Sequence, residues 1–229
     1  MFMGHYGPAV LDTRRGPGIP LWHAFLLVQA IDVFWAVLTI FGIEGSAVRG
    51  DGVPIFRIAW SHSLLSAVLI SLAVGWTYGT VRRGIGRRGR LVAAGLVFSH
   101  WVLDLVVHRP DLPLYPGSGV LLGFGVWDFP LTAYALEIGL LAAGLLFWQR
   151  ATRAHSRAND AALLAVFLFM AVLQFVFITA PGLAVQNGTF DPEAGLDGPM
   201  LVLSALAVFV VLAVAVRQIE RGRTHEAPR

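Results

Sequence analysis

The sequence predicts an all-α, polytopic transmembrane helical bundle of about six spans. Three observations carry that expectation. Of 229 residues, 56% are hydrophobic and only 14% charged, where a soluble domain carries about 25%; mean hydropathy is +0.70. The apolar residues fall in continuous runs without apolar/polar alternation, so helices are expected rather than barrel strands. The basic residues alternate between the loops in the manner of a multi-pass protein.

The apolar runs, in order, are Trp22 to Ile43, Ala59 to Val81, Leu91 to Val107, Phe129 to Trp148, Ala161 to Ala180 and Met200 to Val216. About 20 residues at ~1.5 Å each reach the ~30 Å of bilayer hydrocarbon. A re-entrant stretch over 120–126 is expected before the fourth run. Gly and Pro punctuate the connections at Pro17, Pro20, Gly50, Gly52, Pro110, Pro113, Pro116, Pro181 and Gly182. No internal repeat is visible, so residues 1–229 read as one membrane domain. Residues 1–20 form an interfacial or re-entrant segment and 217–229 a basic tail. The start lacks the basic region and long apolar core of a cleavable signal peptide.

All 17 basic residues are Arg, and there is no Cys. Disulfides and thiolate metal sites are therefore excluded. Fourteen Arg fall on one side of a six-span topology: Arg14, Arg15, Arg82, Arg83, Arg87, Arg88, Arg90, Arg150, Arg153, Arg157, Arg217, Arg221, Arg223 and Arg229. Only Arg49, Arg57 and Arg109 fall on the other. This bias predicts both termini in the cytoplasm. It also accounts for the pI near 9.9 without a nucleic-acid partner.

Ionisable residues within spans cost roughly 2.5–3.5 kcal/mol each on insertion scales, so each requires a reason. Asp32 lies within the first run, His62 opens the second, His100, Asp104 and His108 lie in the third, and Glu137 lies in the fourth. His100, Asp104 and His108 recur every four residues and share one stripe of a helix. Imidazole and carboxylate suit a divalent Zn, Mn or Fe ion; the bland alternative is a polar network between helices. His62 reads equally as interfacial, and Asp32 and Glu137 as lone carboxyl groups. His23, His155 and His225 read as interfacial or solvated. Arg109 at the rim reads as a snorkelling side chain or as a partner for phosphate.

The ordered set His5, Asp32, Ser61-His62-Ser63 and Ser99-His100-x-x-x-Asp104 resembles the bacterial inner-membrane metal-dependent hydrolase family. That family carries an N-terminal His, an Asp at its first apolar segment, a Thr-His-Ser motif and a Ser-His-x-x-x-Asp motif. The likeness covers residues 1 to 110; here Ser61 replaces the Thr, and the Asp sits in Ile31-Asp32-Val33. The resemblance implies localisation in the bacterial inner membrane and a remote relation to zinc-dependent phospholipases C. It also implies ligand roles for His5, Asp32, His62, His100 and Asp104, with His108 standing in for a later His. The Arg bias puts His5 on the cytoplasmic side, so His5 joins the others only if residues 1–20 fold back into the bundle.

The resulting expectation is a membrane-embedded hydrolase of a lipid ester or phosphoester, with a divalent metal, zinc by the resemblance. Asp104 or Glu137 is its candidate base where not a ligand. The alternatives are a non-catalytic structural or pigment- or partner-binding subunit of a membrane complex, a haem protein using His62 and His100, and an ion transporter relaying protons through Asp, Glu and His.

Overall fold

The computed structural model describes residues 1–12, 18–48, 54–191 and 198–225. Arg14, Arg15, Arg49, Arg229, Pro17, Gly50 and Gly52 lie outside the described residues. The chain folds as a helical bundle whose long helices are apolar enough to cross a membrane. These are α4 (Leu64–Val81), α5 (Gly86–Val107), α6 (Pro130–Ala151), α7 (Arg157–Gln174) with its continuation, and α9 (Gly198–Arg221). The first apolar run is a bent pair, α2 (Leu21–Leu27) and α3 (Ala30–Ile40), meeting at 47°. After α7 the backbone widens into a π turn over Phe175–Thr179 and continues as α8 (Ala180–Gln186).

The packing follows from the bilayer as solvent. Leu65, Leu69, Leu72 and Trp76 of α4 and Leu164, Leu168 and Val172 of α7 face outward, half or more exposed. His100, Asp104, Glu137 and Gln174 are buried inside. In hydrocarbon, interhelical affinity comes from close packing rather than from apolar burial. The α4–α5 contact shows this: Ala67, Ser71, Gly75 and Gly79 line one face of α4. A Cβ on Gly75 would lie 2.7 Å from both the Ala94 Cβ and the Arg90 carbonyl oxygen.

The N-terminal segment is the main departure from a simple six-span bundle. Helix α1 (Tyr6–Asp12) is inserted among the spans, with Met3, His5, Tyr6 and Ala9 fully buried. A Cβ on Gly7 would sit 3.2 Å from the Leu140 carbonyl oxygen of α6, and one on Gly144 3.1 Å from that of Gly7. Residues 1–12 thus fold back into the bundle, the condition under which His5 could reach the other histidines.

One end of the bundle is rich in Arg. There Arg217 stacks over Trp22 at 5.2 Å, Arg90 over Trp76 at 4.6 Å, and His23 Nδ1 meets the Tyr78 hydroxyl at 2.7 Å. Within the basic tail, β6 (Arg223–His225) pairs antiparallel with β5 (Thr152–Ala154). Arg223 there reaches Thr152, Asn159 and Asp160.

The other end carries two small hairpins, β1 (Gly45–Val48) with β2 (Pro54–Arg57) and β3 (Leu112–Pro113) with β4 (Leu121–Leu122). The stretch 120–126 is not a re-entrant helix. Instead it caps the end of α5: Phe124 N–H donates to the Leu105 carbonyl (2.9 Å) and Gly125 N–H to that of His108 (2.7 Å), satisfying orphan helix-end acceptors. Gly123 adopts φ +148° against the Arg109 backbone, where a side chain would collide.

Candidate metal centre

Six predicted residues converge between mid-bundle and the hairpin end. Helix α5 supplies His100 and Asp104 from one stripe, as their spacing predicts. The helix stops at Val107, two residues ahead of the restricted Arg109-Pro110 step. His108 therefore leaves the helix in extended conformation, yet its Nε2 still lies 3.7 Å from Asp104 Oδ1.

Asp32 arrives through the break between α2 and α3. The bend exposes the Val28 carbonyl, which accepts a hydrogen bond from His100 Nδ1 at 2.7 Å, and sets Asp32 in the first turn of α3. A broken membrane helix whose freed carbonyl lines an internal site is the tolerated form of such irregularity.

His62 lies in the turn before α4. Glu44, only 3% exposed, fixes that turn by accepting Trp60 N–H (2.6 Å) and Ser61 N–H (3.0 Å). The Ser63 hydroxyl caps α4 by accepting Ser66 N–H, and the His62 carbonyl accepts the Trp101 indole N–H at 2.8 Å.

The resulting geometry is a ring of imidazoles about two carboxylates. His62 Nε2 and His100 Nε2 lie 3.3 and 3.4 Å from Asp32 Oδ1. They lie 3.6 and 3.1 Å from Asp104 Oδ2. The other Asp104 oxygen, Oδ1, faces His5 Nε2 at 3.3 Å and His108, and also contacts the Met1 α-amino group. Two trios, His5/His100/Asp104 and Asp32/His62/His100, each place one donor atom per residue within 4.8 Å of the others. His5 stacks on His100 with ring centroids 3.6 Å apart.

Three histidines are oriented from behind. Nδ1 of His62 meets the Ser61 hydroxyl at 2.7 Å, Nδ1 of His100 the Val28 carbonyl, and Nδ1 of His108 Asp111 Oδ1 at 2.9 Å. Each ring thereby turns Nε2 inward, as the outer partners of metal-binding histidines do. Burial pulls the His108 imidazole below its ordinary pKa although Asp104 and Asp111 oppose it.

The donor set fits a metal. A carbonyl only accepts, so His100 Nδ1 carries the proton and, in the neutral ring, Nε2 carries a lone pair. Nε2 is buried, makes no hydrogen bond among the described residues, and lies 3.4 and 3.1 Å from the carboxylates of Asp32 and Asp104. Both ring nitrogens of His5 are likewise buried without a hydrogen bond among the described residues, although Nε2 lies 3.3 Å from Asp104 Oδ1. Acceptors meeting acceptors require a cation between them, either a proton on the ring or a metal ion. The buried His/Asp group can hold a metal with all-N/O ligands.

Glu137 stands outside this ring: its Oε2 accepts the N–H groups of Phe2 (2.8 Å) and Gly4 (3.1 Å). Arg109 donates Nε–H to Asp128 at 2.6 Å, which engages one of its five N–H donors. His23 and exposed His155 lie away from the centre, and the side chain of His225 is outside the described set. The rings of His62 and His100, with centroids 5.6 Å apart, converge on the same two carboxylates. Trp127 (4.3 Å) and Phe56 (5.7 Å) cover His108 from the hairpin end. Sequence reasoning missed Glu44, Asp111 and Gln174. The first two look like ordinary loop acids, but Gln174 stands as a polar residue in an apolar run and was open to detection.

Comparison of the chain with protein-family models, curated proteins and solved structures finds no match.

Proposed function

We propose that this protein is a membrane-embedded metal-dependent hydrolase of a lipid ester or phosphoester, with His5, Asp32, His62, His100, Asp104 and His108 as its ligand set and zinc as the metal. The observation that carries the reading is His100 Nε2, a buried ring nitrogen aimed at Asp32 and Asp104 while Nδ1 is committed to Val28. Asp104 presents its two oxygens to two different histidine pairs, His5 and His108 on Oδ1 and His62 and His100 on Oδ2, so either oxygen would be available to hold a cation. A bound divalent cation supplies Lewis acidity, polarising an ester or phosphoryl oxygen and acidifying water.

The chain's own residues supply the rest. Asp32, with 19% of its side chain exposed against 2% for Asp104, is the carboxylate an incoming substrate meets first. Phe56 and Trp127 shield His108 from water at the hairpin end. The Arg bias and the resemblance together favour the bacterial inner membrane, with the C-terminal tail cytoplasmic and the centre opening toward the outer side; the N-terminus, expected in the cytoplasm from the Arg bias, instead lies inside the bundle, where the Met1 α-amino group meets Asp104. Elemental analysis of purified protein beside His100→Ala tests the metal, and release of headgroup or acyl chain from defined phospholipid vesicles tests the reaction. A metal-free protein would favour the reading of a structural or partner-binding subunit, in which protonated histidines bridge the carboxylates.

A further inference from the structure

Glu137 and Gln174 are fully buried polar residues on two different spans, and the metal centre uses neither directly. Their partners are the backbone of the N-terminal segment. Glu137 Oε2 accepts Phe2 and Gly4 N–H, and Gln174 Oε1 accepts Met3 N–H at 3.0 Å. Three consecutive donors ahead of α1, which have no helical acceptor of their own, are thus all satisfied by side chains inside a membrane bundle. The approach is close: a Cβ on Gly4 would lie 3.1 Å from Glu137 Cγ. The π turn begins immediately after Gln174, and Thr179 Oγ donates back to the Gln174 carbonyl. Such turns recur at functional sites, and this one follows the residue that aims at Met3.

We propose that Glu137 and Gln174 form a cradle that seats residues 1–4 and thereby holds His5 against His100 and Asp104. They are positioning residues: the centre is complete only when the segment is docked. The cradle is judged on backbone placement alone; its consequence for metal rests on the proposed metal site.

The absence of Cys makes the test direct. Met3→Cys introduces a single thiol at a fully buried position, whose maleimide labelling in detergent reports whether the segment is seated. The thiol is expected to be protected in the parent and with Glu137→Gln or Gln174→Glu, which keep an acceptor oxygen. With Glu137→Leu or Gln174→Leu, labelling is expected to accelerate about tenfold or more as those hydrogen bonds are lost. Ala67→Cys, buried between α4 and α5, is expected to remain protected in every background. Rapid labelling of Met3→Cys in the parent, or no acceleration in the Leu variants, overturns the proposal. Loss of protection at both positions also overturns it, because the two residues would then hold the bundle rather than the segment. Where the protein binds zinc, Glu137→Leu is expected to lower zinc affinity as much as His5→Ala, and the double variant no further. Additive losses contradict the cradle, whereas absence of zinc contradicts the hydrolase reading and leaves the labelling result to decide.

Discussion

Asp111→Ala isolates the support of one proposed ligand, His108, without entering the centre. Asp111 Oδ1 lies 2.9 Å from His108 Nδ1 and its side chain is 25% exposed, so the variant keeps the bundle intact. A hydrogen bond to a charged group contributes about 1.5–3 kcal/mol, and partial exposure reduces this to about 1–2 kcal/mol. At 1.4 kcal/mol per decade, zinc affinity should fall about 5- to 30-fold, within reach of the ~10–100-fold typical of outer-shell losses. Competition against a chromophoric zinc chelator in detergent measures it, with thermal unfolding as the control for fold. Asp128→Ala is the comparison: Asp128 is half exposed and pairs with Arg109, so its removal should leave zinc affinity within about twofold. Equal affinities for Asp111→Ala and the parent would refute His108 as a ligand oriented by Asp111.

Glu44→Ala removes the acceptor for Trp60 and Ser61 N–H in a buried turn and should destabilise the protein by about 1–3 kcal/mol, read as a lowered Tm. Glu44→Gln, which retains one acceptor oxygen, should lose less. Gly75→Leu forces α4 from the Arg90–Ala94 backbone of α5 and should cost about 1–3 kcal/mol or more, measured by unfolding in detergent, with Gly95→Leu, whose added Cβ meets nothing within 4 Å, as the tolerated comparison. Chelation should lower Tm and added zinc restore it, because a ligand bound only to the folded state stabilises by mass action; His100→Ala should abolish that response.

The bundle was legible because hydrocarbon imposes a length and a composition on every span. The α5 stripe was legible because a four-residue recurrence survives any helix packing. The bend at Val28–Gln29 was not: no Pro or Gly marks it, and its reason is tertiary, since His100 takes the freed carbonyl. The docking of residues 1–12 was also hidden, because its donors are backbone N–H groups and its acceptors, Glu137 and Gln174, lie more than 130 residues away in sequence. Glu137 stands out in the sequence as an ionisable residue within a span and reads as a lone carboxyl group or a candidate base, whereas the geometry gives one of its oxygens a structural task. Glu44 and Asp111 were invisible for the opposite reason, since acids in loops need no explanation until a turn or an imidazole is found leaning on them.

Elemental analysis of the detergent-purified protein beside His100→Ala addresses the central claim most directly. One or two equivalents of zinc per chain are expected in the parent and are expected to be lost in the variant at unchanged fold. Metal-free protein that stays empty after incubation with excess zinc, or a His100→Ala variant that retains its full complement, would contradict it.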